Sequence, residues 1–445
     1  MRVVIIGAGQ VGESIAADLD ESNEVIVVEE DPERCEELTY GLDVLTINGD
    51  GTSVDTLEEA GVADADMVIA STDDDETNIV ACSTVKAISE AFTIARVKKT
   101  EYLKTWRRSN TAFGIDFMVC TNLLTAQSIV RVVGLPGALD VDPFAGGKVQ
   151  MAEFEVAPDS DVAGQTVAEA DRFDSLTFAA LLREDAVIIP TGETVIEGED
   201  RLVVIGSPGS VREFASTVAS IDEQDEVNEV VVVGGSEVGY HVARLFEERD
   251  VSVRYIEQDA DRARELAEDL PNAVVLQSDA TDVDFLEREH IADADVLVST
   301  LDSDEKNLLA CLLSKRLGVG RTVSIVDSDP YIDLFETVGV DVAISPRAVV
   351  AEEITRFTRE GTAENVALIE SDKAEVIEIE VGEDSPLAGR TILDSVADLP
   401  ERVVFGAITR NGAFVTPRGD TVIEAGDHVV AFAPADVAEG LTARL

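Results

Sequence analysis

Val3-Val4-Ile5-Ile6-Gly7-Ala8-Gly9-Gln10-Val11-Gly12 runs four apolar residues into a glycine turn. A short continuous apolar run of this kind reads as a strand buried on both faces. The spacing Gly7-x-Gly9-x-x-Gly12 then fits a strand-to-helix turn that receives a pyrophosphate. Gly7 permits the tight turn and Gly9 lets the backbone approach a phosphate at the helix N-terminus. Gly12 lets the helix pack against the sheet. The chain says the same thing twice. Val230-Val231-Val232-Val233-Gly234-Gly235-Ser236-Glu237-Val238-Gly239 repeats the pattern with serine at the middle position.

Outward from the first turn, apolar runs alternate with helical stretches. They lie at Val3–Ile6, Val25–Val28, Val44–Ile47, Met67–Ala70, Thr93–Val97 and Phe117–Val119. That alternation predicts a parallel sheet covered on both faces, the doubly wound fold. From Gly146 the texture changes. Alternation in Met151–Val156, then short runs at Phe178–Leu182, Val187–Ile189 and Arg201–Ile205, predicts a small α+β domain. Ile221–Asn228, rich in acids, reads as a linker. The order then repeats. Gly7 to Gly234 is an offset of 227, Glu29 to Glu257 is 228, and Asp50 to Asp279 and Cys82 to Cys311 are 229. The expected fold class is α/β: two Rossmann-like doubly wound parallel-sheet domains (1–122 and 228–346), each followed by a small α+β domain (142–222 and 366–445).

The first crevice is expected to gather the turn Gly7, Ala8, Gly9, Gln10, Val11 and Gly12. Glu29 ends the second strand, seventeen residues after Gly12. A strand-end acid there bonds ribose hydroxyls and repels a 2′-phosphate, so NAD or an adenosine nucleotide is favoured over NADP. Asp50, Thr72 and Asp73 follow later strands, and Arg96 on the fifth strand is placed to meet phosphate. For each of these four the alternative is loop capping or surface charge. In the second copy Gly234, Gly235, Ser236, Glu237 and Val238 form the turn, with Glu257, Asp279, Thr300 and Asp302 as further liners. Ser236 is expected to crowd a pyrophosphate, and Ile325 stands in the slot of Arg96. The second site is therefore expected to bind more weakly or to take a mononucleotide.

Composition narrows the function classes. The 90 Asp and Glu against 34 Lys and Arg give a net charge of -56, spread along the chain. Apolar content of 45% is too high for a disordered acidic protein. An acidic solvated surface fits a salty cytosol, with self-repulsion in dilute buffer. No basic patch is available for nucleic acid; Lys98-Lys99 and Lys104-Thr105-Trp106-Arg107-Arg108 are short. No apolar run approaches bilayer length, and the N-terminus does not read as a signal peptide, so a cytosolic protein is expected. Cys35, Cys82, Cys120 and Cys311 read as buried free thiols. His241, His290 and His428 are expected in a helix, near a helix end and in a loop, none beside a nucleophile motif. No catalytic residue and no metal site is assigned, and Asp73-Asp74-Asp75-Glu76 is read as a solvated loop.

With turn, ribose acid, Gly49-Asp50 and Thr72-Asp73 placed, the chain resembles the TrkA family of regulatory subunits of Trk potassium uptake systems. The resemblance covers almost the whole chain. Its most specific marks are the duplication and the pattern Ile408-Thr409-Arg410, Pro417-x-Gly419-Asp420-Thr421 and Asp427, with Pro190-x-Gly192-Glu193-Thr194 and Asp200 as a looser first form. The resemblance implies tandem regulator-of-potassium-conductance (RCK) units and no enzyme activity. It implies NAD (NADH), or ATP and ADP, in the Rossmann halves. It implies a multi-spanning membrane potassium transporter as partner, a cytoplasmic place beneath it, and a homo-oligomeric ring. It carries the phosphate turn onto Gly7–Val11 and Gly234–Val238, and the ribose acids onto Glu29 and Glu257. The other function classes are an NAD-dependent oxidoreductase and a nucleotide-sensing regulator of another transporter.

Overall fold

The computed structural model describes residues 1–20, 23–108, 113–183, 186–219, 227–328, 331–359, 365–369, 374–383, 385–397, 399, 402–434 and 437. The linker expected at 221–228 lies mostly outside them. The chain resolves into two compact units that interleave in sequence: 1–129 with 228–358, and 130–227 with 359–445. Both Rossmann halves share one unit and both small domains share the other.

In the first unit, strands β1 (Arg2–Ile6), β2 (Glu24–Glu29), β3 (Leu45–Asn48), β4 (Met67–Ala70), β5 (Phe92–Val97) and β6 (Phe117–Cys120) form a parallel sheet in the order β3-β2-β1-β4-β5-β6. The apolar runs explain why. Val3, Val4, Ile5 and Ile6 are buried, and β1 aligns Val3 with Val25 on one side and with Met67 on the other. A central parallel strand has no face in water, so every position is apolar. Chain order reverses between β1 and β4, which opens a crevice at the carboxyl ends of those strands.

The small-domain unit holds two five-stranded antiparallel sheets. The first is built from β7 (Ala138–Phe144), β8 (Val149–Glu155), β9 (Leu176–Arg183), β10 (Ala186–Ile188) and β11 (Arg201–Gly206), in the order β10-β9-β11-β8-β7. The expected boundary at 142 falls inside β7, which precedes the change of texture at Gly146.

The second Rossmann sheet comprises β12 (Glu229–Val233), β13 (Ser252–Glu257), β14 (Val274–Gln277), β15 (Val296–Ser299), β16 (Arg321–Ile325) and β17 (Val342–Ile344), in the same order as the first. The last sheet, β18 (Asn365–Ile369), β19 (Ala374–Glu380), β20 (Val404–Arg410), β21 (Ala413–Val415) and β22 (His428–Pro434), runs β18-β19-β22-β20-β21. His428 thus starts a strand and is not in a loop. Met151, Leu182 and Val203 of one small sheet share a core with Val376, Ala407 and Phe432 of the other.

The two Rossmann halves also share a core. Val350, Ala351 and Ile354, on the helix Pro346–Arg359 that follows β17, pack with Val3, Ile5, Ile69 and Ile94 of the first sheet. Phe357 of that helix lies 3.7 Å, centroid to centroid, from Phe117. Among the described residues no helix is long and apolar enough to cross a membrane.

Candidate nucleotide crevices and family membership

The three glycines of the first turn meet three different constraints. Gly7 has φ +99°, and a Cβ there would lie 2.8 Å from Thr72 Cγ2. Its position demands glycine on conformation and on space. Gly12, in the first turn of the helix Gln10–Asp20, lies so close to the strand end that a Cβ would stand 1.9 Å from the Gly7 carbonyl oxygen. Gly9 differs: a Cβ there meets nothing within 4 Å. The turn and the fourth-strand loop touch across the switch point, and Gly9 faces open space.

Glu29, at the end of β2, closes over this turn. Its carboxylate accepts from Ala8 N at 2.6 Å and from Asp31 N at 2.9 Å. Asp50 is held locally: Thr52 donates to it from the backbone at 2.8 Å and from the hydroxyl at 2.7 Å. Those bonds depress its pKa. Thr72 is fixed by Asn78, whose Oδ1 accepts from Thr72 N at 2.9 Å and from its hydroxyl at 2.6 Å. Asn78 Nδ2 in turn donates to the carbonyls of Thr72 and Arg96, both at 2.9 Å. A fully bonded buried amide therefore ties the ends of β4 and β5 together.

Arg96 is 5% exposed. Its Nε donates to Thr121 Oγ1 at 3.1 Å, and Nη1 lies 3.6 Å from Asp73. Burial lowers the Arg96 pKa, and Asp73 opposes that. Burial alone would raise the Asp73 carboxyl, but Lys98 at 3.1 Å, with Arg96 and Arg347, holds it below its usual value. Arg347 belongs to the second copy, at the start of the helix Pro346–Arg359. Nothing in its local sequence marks it as a neighbour of the first crevice.

The run Asp73–Glu76 is not a solvated loop throughout, which corrects the expectation. Asp74 caps the helix Asp75–Ile88 by accepting from Thr77 N at 2.7 Å. Asp75 is buried and accepts from the backbone N of Lys98 and Lys99 at 2.8 and 2.9 Å. Tyr102 and Lys99 bond Glu76 and bring its pKa down to about 2. The acids order the loop. The four cysteines are free and buried, and burial pushes Cys82 and Cys311 up to about 12.

The second turn has the same backbone and different occupants. Gly234 has φ +96°. Ser236 caps the helix Glu237–Glu247, its hydroxyl accepting from Gly239 N at 3.1 Å. The serine hydroxyl thus takes up one of the N–H donors at the start of this helix. Arg262 lies over the turn, with Nε donating to the Gly235 carbonyl at 2.8 Å and Nη2 reaching Glu237 at 3.1 Å. Glu257 accepts from Gly235 N. Asp279 repeats Asp50, with Thr281 as donor at 2.8 Å and 2.7 Å. Val238 is buried in the helix, and Asp302 pairs with Lys306 at 3.1 Å.

Thr300 is the counterpart of Ser71, one residue before the Thr72 slot, as the offset of 229 gives. Its amide donates to the Val233 carbonyl as Ser71 donates to Ile6, at 2.8 and 2.9 Å. Leu301 takes the Thr72 slot and donates to Asn307 Oδ1 at 2.8 Å. Glycine, threonine and arginine of the first crevice are thus replaced by Ser236, Leu301 and Ile325.

The small domains explain their own motif. Arg410 forks onto Asp427 with bonds of 2.8 and 2.7 Å and reaches Glu424 at 2.7 Å. Arg183 does the same with Asp200 at 2.7 and 2.8 Å and Glu197 at 2.6 Å. The motif is a structural staple, and Arg183 is the partner that the looser first pattern had left out.

Comparison with known proteins agrees with this layout. The TrkA-N domain family matches residues 3–121 and 230–346, and the TrkA-C domain family matches 151–219 and 376–445. Trk system potassium uptake protein TrkA homolog 1 of Methanosarcina mazei is 36% identical, with 98% of each chain covered. Trk system potassium uptake protein TrkA of Halomonas elongata is 33% identical, covering 97% of this chain and 95% of its own. The crystal structure of the GsuK RCK domain matches 100% of this chain and 94% of its own at TM-score 0.62 and 19% identity. The GsuK channel bound to NAD matches 100% of this chain and 78% of its own at 0.62 and 20%. These structures share the fold. Because both domain families match twice and full-length relatives exceed 30% identity, the chain belongs to the TrkA family of Trk-system potassium uptake proteins.

Proposed function

We propose that this chain is a regulatory subunit that binds NAD(H) or an adenine nucleotide in its first Rossmann crevice and thereby gates a membrane potassium-translocating subunit. It works at the cytoplasmic face of the membrane, held by its transporter partner, as a homo-oligomeric ring. The observation that carries this reading is the contrast between the two turns. The first pairs an open Gly9 with Glu29, whereas the second is filled by Ser236 and Arg262. The relatives' names, which specify potassium uptake, and the NAD named with the GsuK channel support it. Glu29 must give up Ala8 N, or share it, when a ribose arrives. A nucleotide can shift a gate only through its differential affinity for the two arrangements of the subunit.

The test is potassium flux through the reconstituted complex at high salt, comparing NADH, NAD, ATP and ADP. Nucleotide-dependent flux that is lost in Gly9→Ala supports the reading. Flux indifferent to every nucleotide, or turnover of NADH without transporter association, would overturn it.

A further inference from the structure

A cleft of about 210 Å³ lies between the helix Thr100–Arg108 of the first Rossmann half and the helix Glu237–Glu247 of the second. Its apolar wall is Leu103, Leu123 and Leu245. Lys104 and Arg107 enter from one helix and Arg244 from the other. Only Glu248 opposes them in the lining, and it bonds Arg244 at 3.3 Å. Among the described residues Lys104 and Arg107 have no ion-pair partner. Cations are scarce in this chain, 34 against 90 acids, so their convergence on one cleft is not a property of the surface at large.

His241 supplies the independent observation. It lines the same cleft and is 5% exposed, yet its Nε2 is buried without a hydrogen-bond partner among the described residues. A buried polar atom left without a hydrogen bond is costly, so a partner is expected from outside the protein. Burial, with Arg244 and Lys104 nearby and Glu101 opposing, brings the His241 pKa down to about 4, so the ring is neutral and can donate one N–H. In a salty cytosol exposed charges alone would be screened within about 3 Å. A buried donor beside an apolar wall keeps its selectivity there.

We propose that this cleft binds a small organic anion, with a phosphate or carboxylate head on Lys104, Arg107 and His241 Nε2 and an apolar body against the three leucines. It shares no residue with either nucleotide turn, so it does not depend on the nucleotide reading. Because its walls come from both Rossmann halves, a bound anion favours the arrangement in which those helices adjoin.

Calorimetric titration of the full chain in concentrated KCl tests this, with phenyl phosphate as probe, and inorganic phosphate and benzyl alcohol as head-only and body-only controls. The expected result is one phenyl phosphate per chain, at least tenfold tighter than either control. It is weakened at least tenfold in His241→Phe and in the double variant Lys104→Gln with Arg107→Gln, and unchanged in Gly9→Ala. The double variant changes only exposed side chains, so it tests the site even where His241→Phe fails to fold. Phenyl phosphate that binds no better than inorganic phosphate, or ignores the double variant, or is lost in Gly9→Ala, overturns the proposal.

Discussion

Gly9 and Gly12 stand three residues apart in one turn and obey different rules. A methyl group at Gly12 collides with the Gly7 carbonyl, whereas one at Gly9 enters empty space. Gly12→Ala is expected to destabilise the protein by about 1–3 kcal/mol through overpacking. Gly9→Ala should cost no more than about 1 kcal/mol, the scale of a changed N-cap, yet weaken NADH binding about tenfold or more, ~1.4 kcal/mol. Thermal melts and calorimetry on both variants separate these outcomes. A large melting loss in Gly9→Ala would remove the distinction. Asp427 belongs to the same scale. It is 0% exposed and paired with Arg410, whose side chain is 26% exposed. Asp427→Asn should cost about 3 kcal/mol, the low end for breaking a buried pair, because Arg410 keeps access to water. Burial tends to raise the Asp427 pKa, but the Arg410 and Glu424 bonds hold it below 3.8. A depressed carboxyl contributes stability above its unfolded value and loses it as pH falls through the folded one. The acid limb of a wild-type melt should therefore steepen below about pH 4 and flatten in Asp427→Asn.

At the scale of elements, what could be read from sequence follows burial. Strands β1, β2, β4 and β5 are covered on both faces, so their apolar runs are continuous and their positions plain. The strand β7 hides because Asp140, Asp142 and Pro143 interrupt Ala138–Phe144. It lies at a sheet edge, where a ladder tolerates proline and charge. The glycine turns were legible because backbone geometry restricts residue choice. Their occupants were not: Arg262 reaches the second turn from a helix 27 residues beyond Gly235. Leu301, by contrast, was within reach of the sequence: the offset of 229 carries the Thr72 slot onto it, and its bond to Asn307 agrees. The pairing of His241 with Lys104 and Arg107 joins two helices from different copies and leaves no local pattern.

At the scale of the molecule, the repeat is not two independent domains in a row. The helix Pro346–Arg359 of the second copy completes the core of the first sheet. Ile354 is 0% exposed in that core. Ile354→Ala should cost about 2–5 kcal/mol through the cavity it leaves, measured by denaturant unfolding; a loss below 1 kcal/mol would mean the two halves stand alone. The net charge of -56 acts on the whole as well. Self-repulsion weakens as salt screens it, so the melting temperature should climb with KCl concentration and the fold should loosen in dilute buffer. A salt-independent melting temperature would mean that the surface charge has no such cost. Duplication with divergence leaves one open crevice and one filled by Ser236 and Arg262. The direct measurement is calorimetric titration of NADH into the full chain in concentrated KCl. We predict one saturable site per chain, weakened in Gly9→Ala and unchanged in Ser236→Ala. Two equal sites per chain, or a single site insensitive to Gly9→Ala, would contradict it.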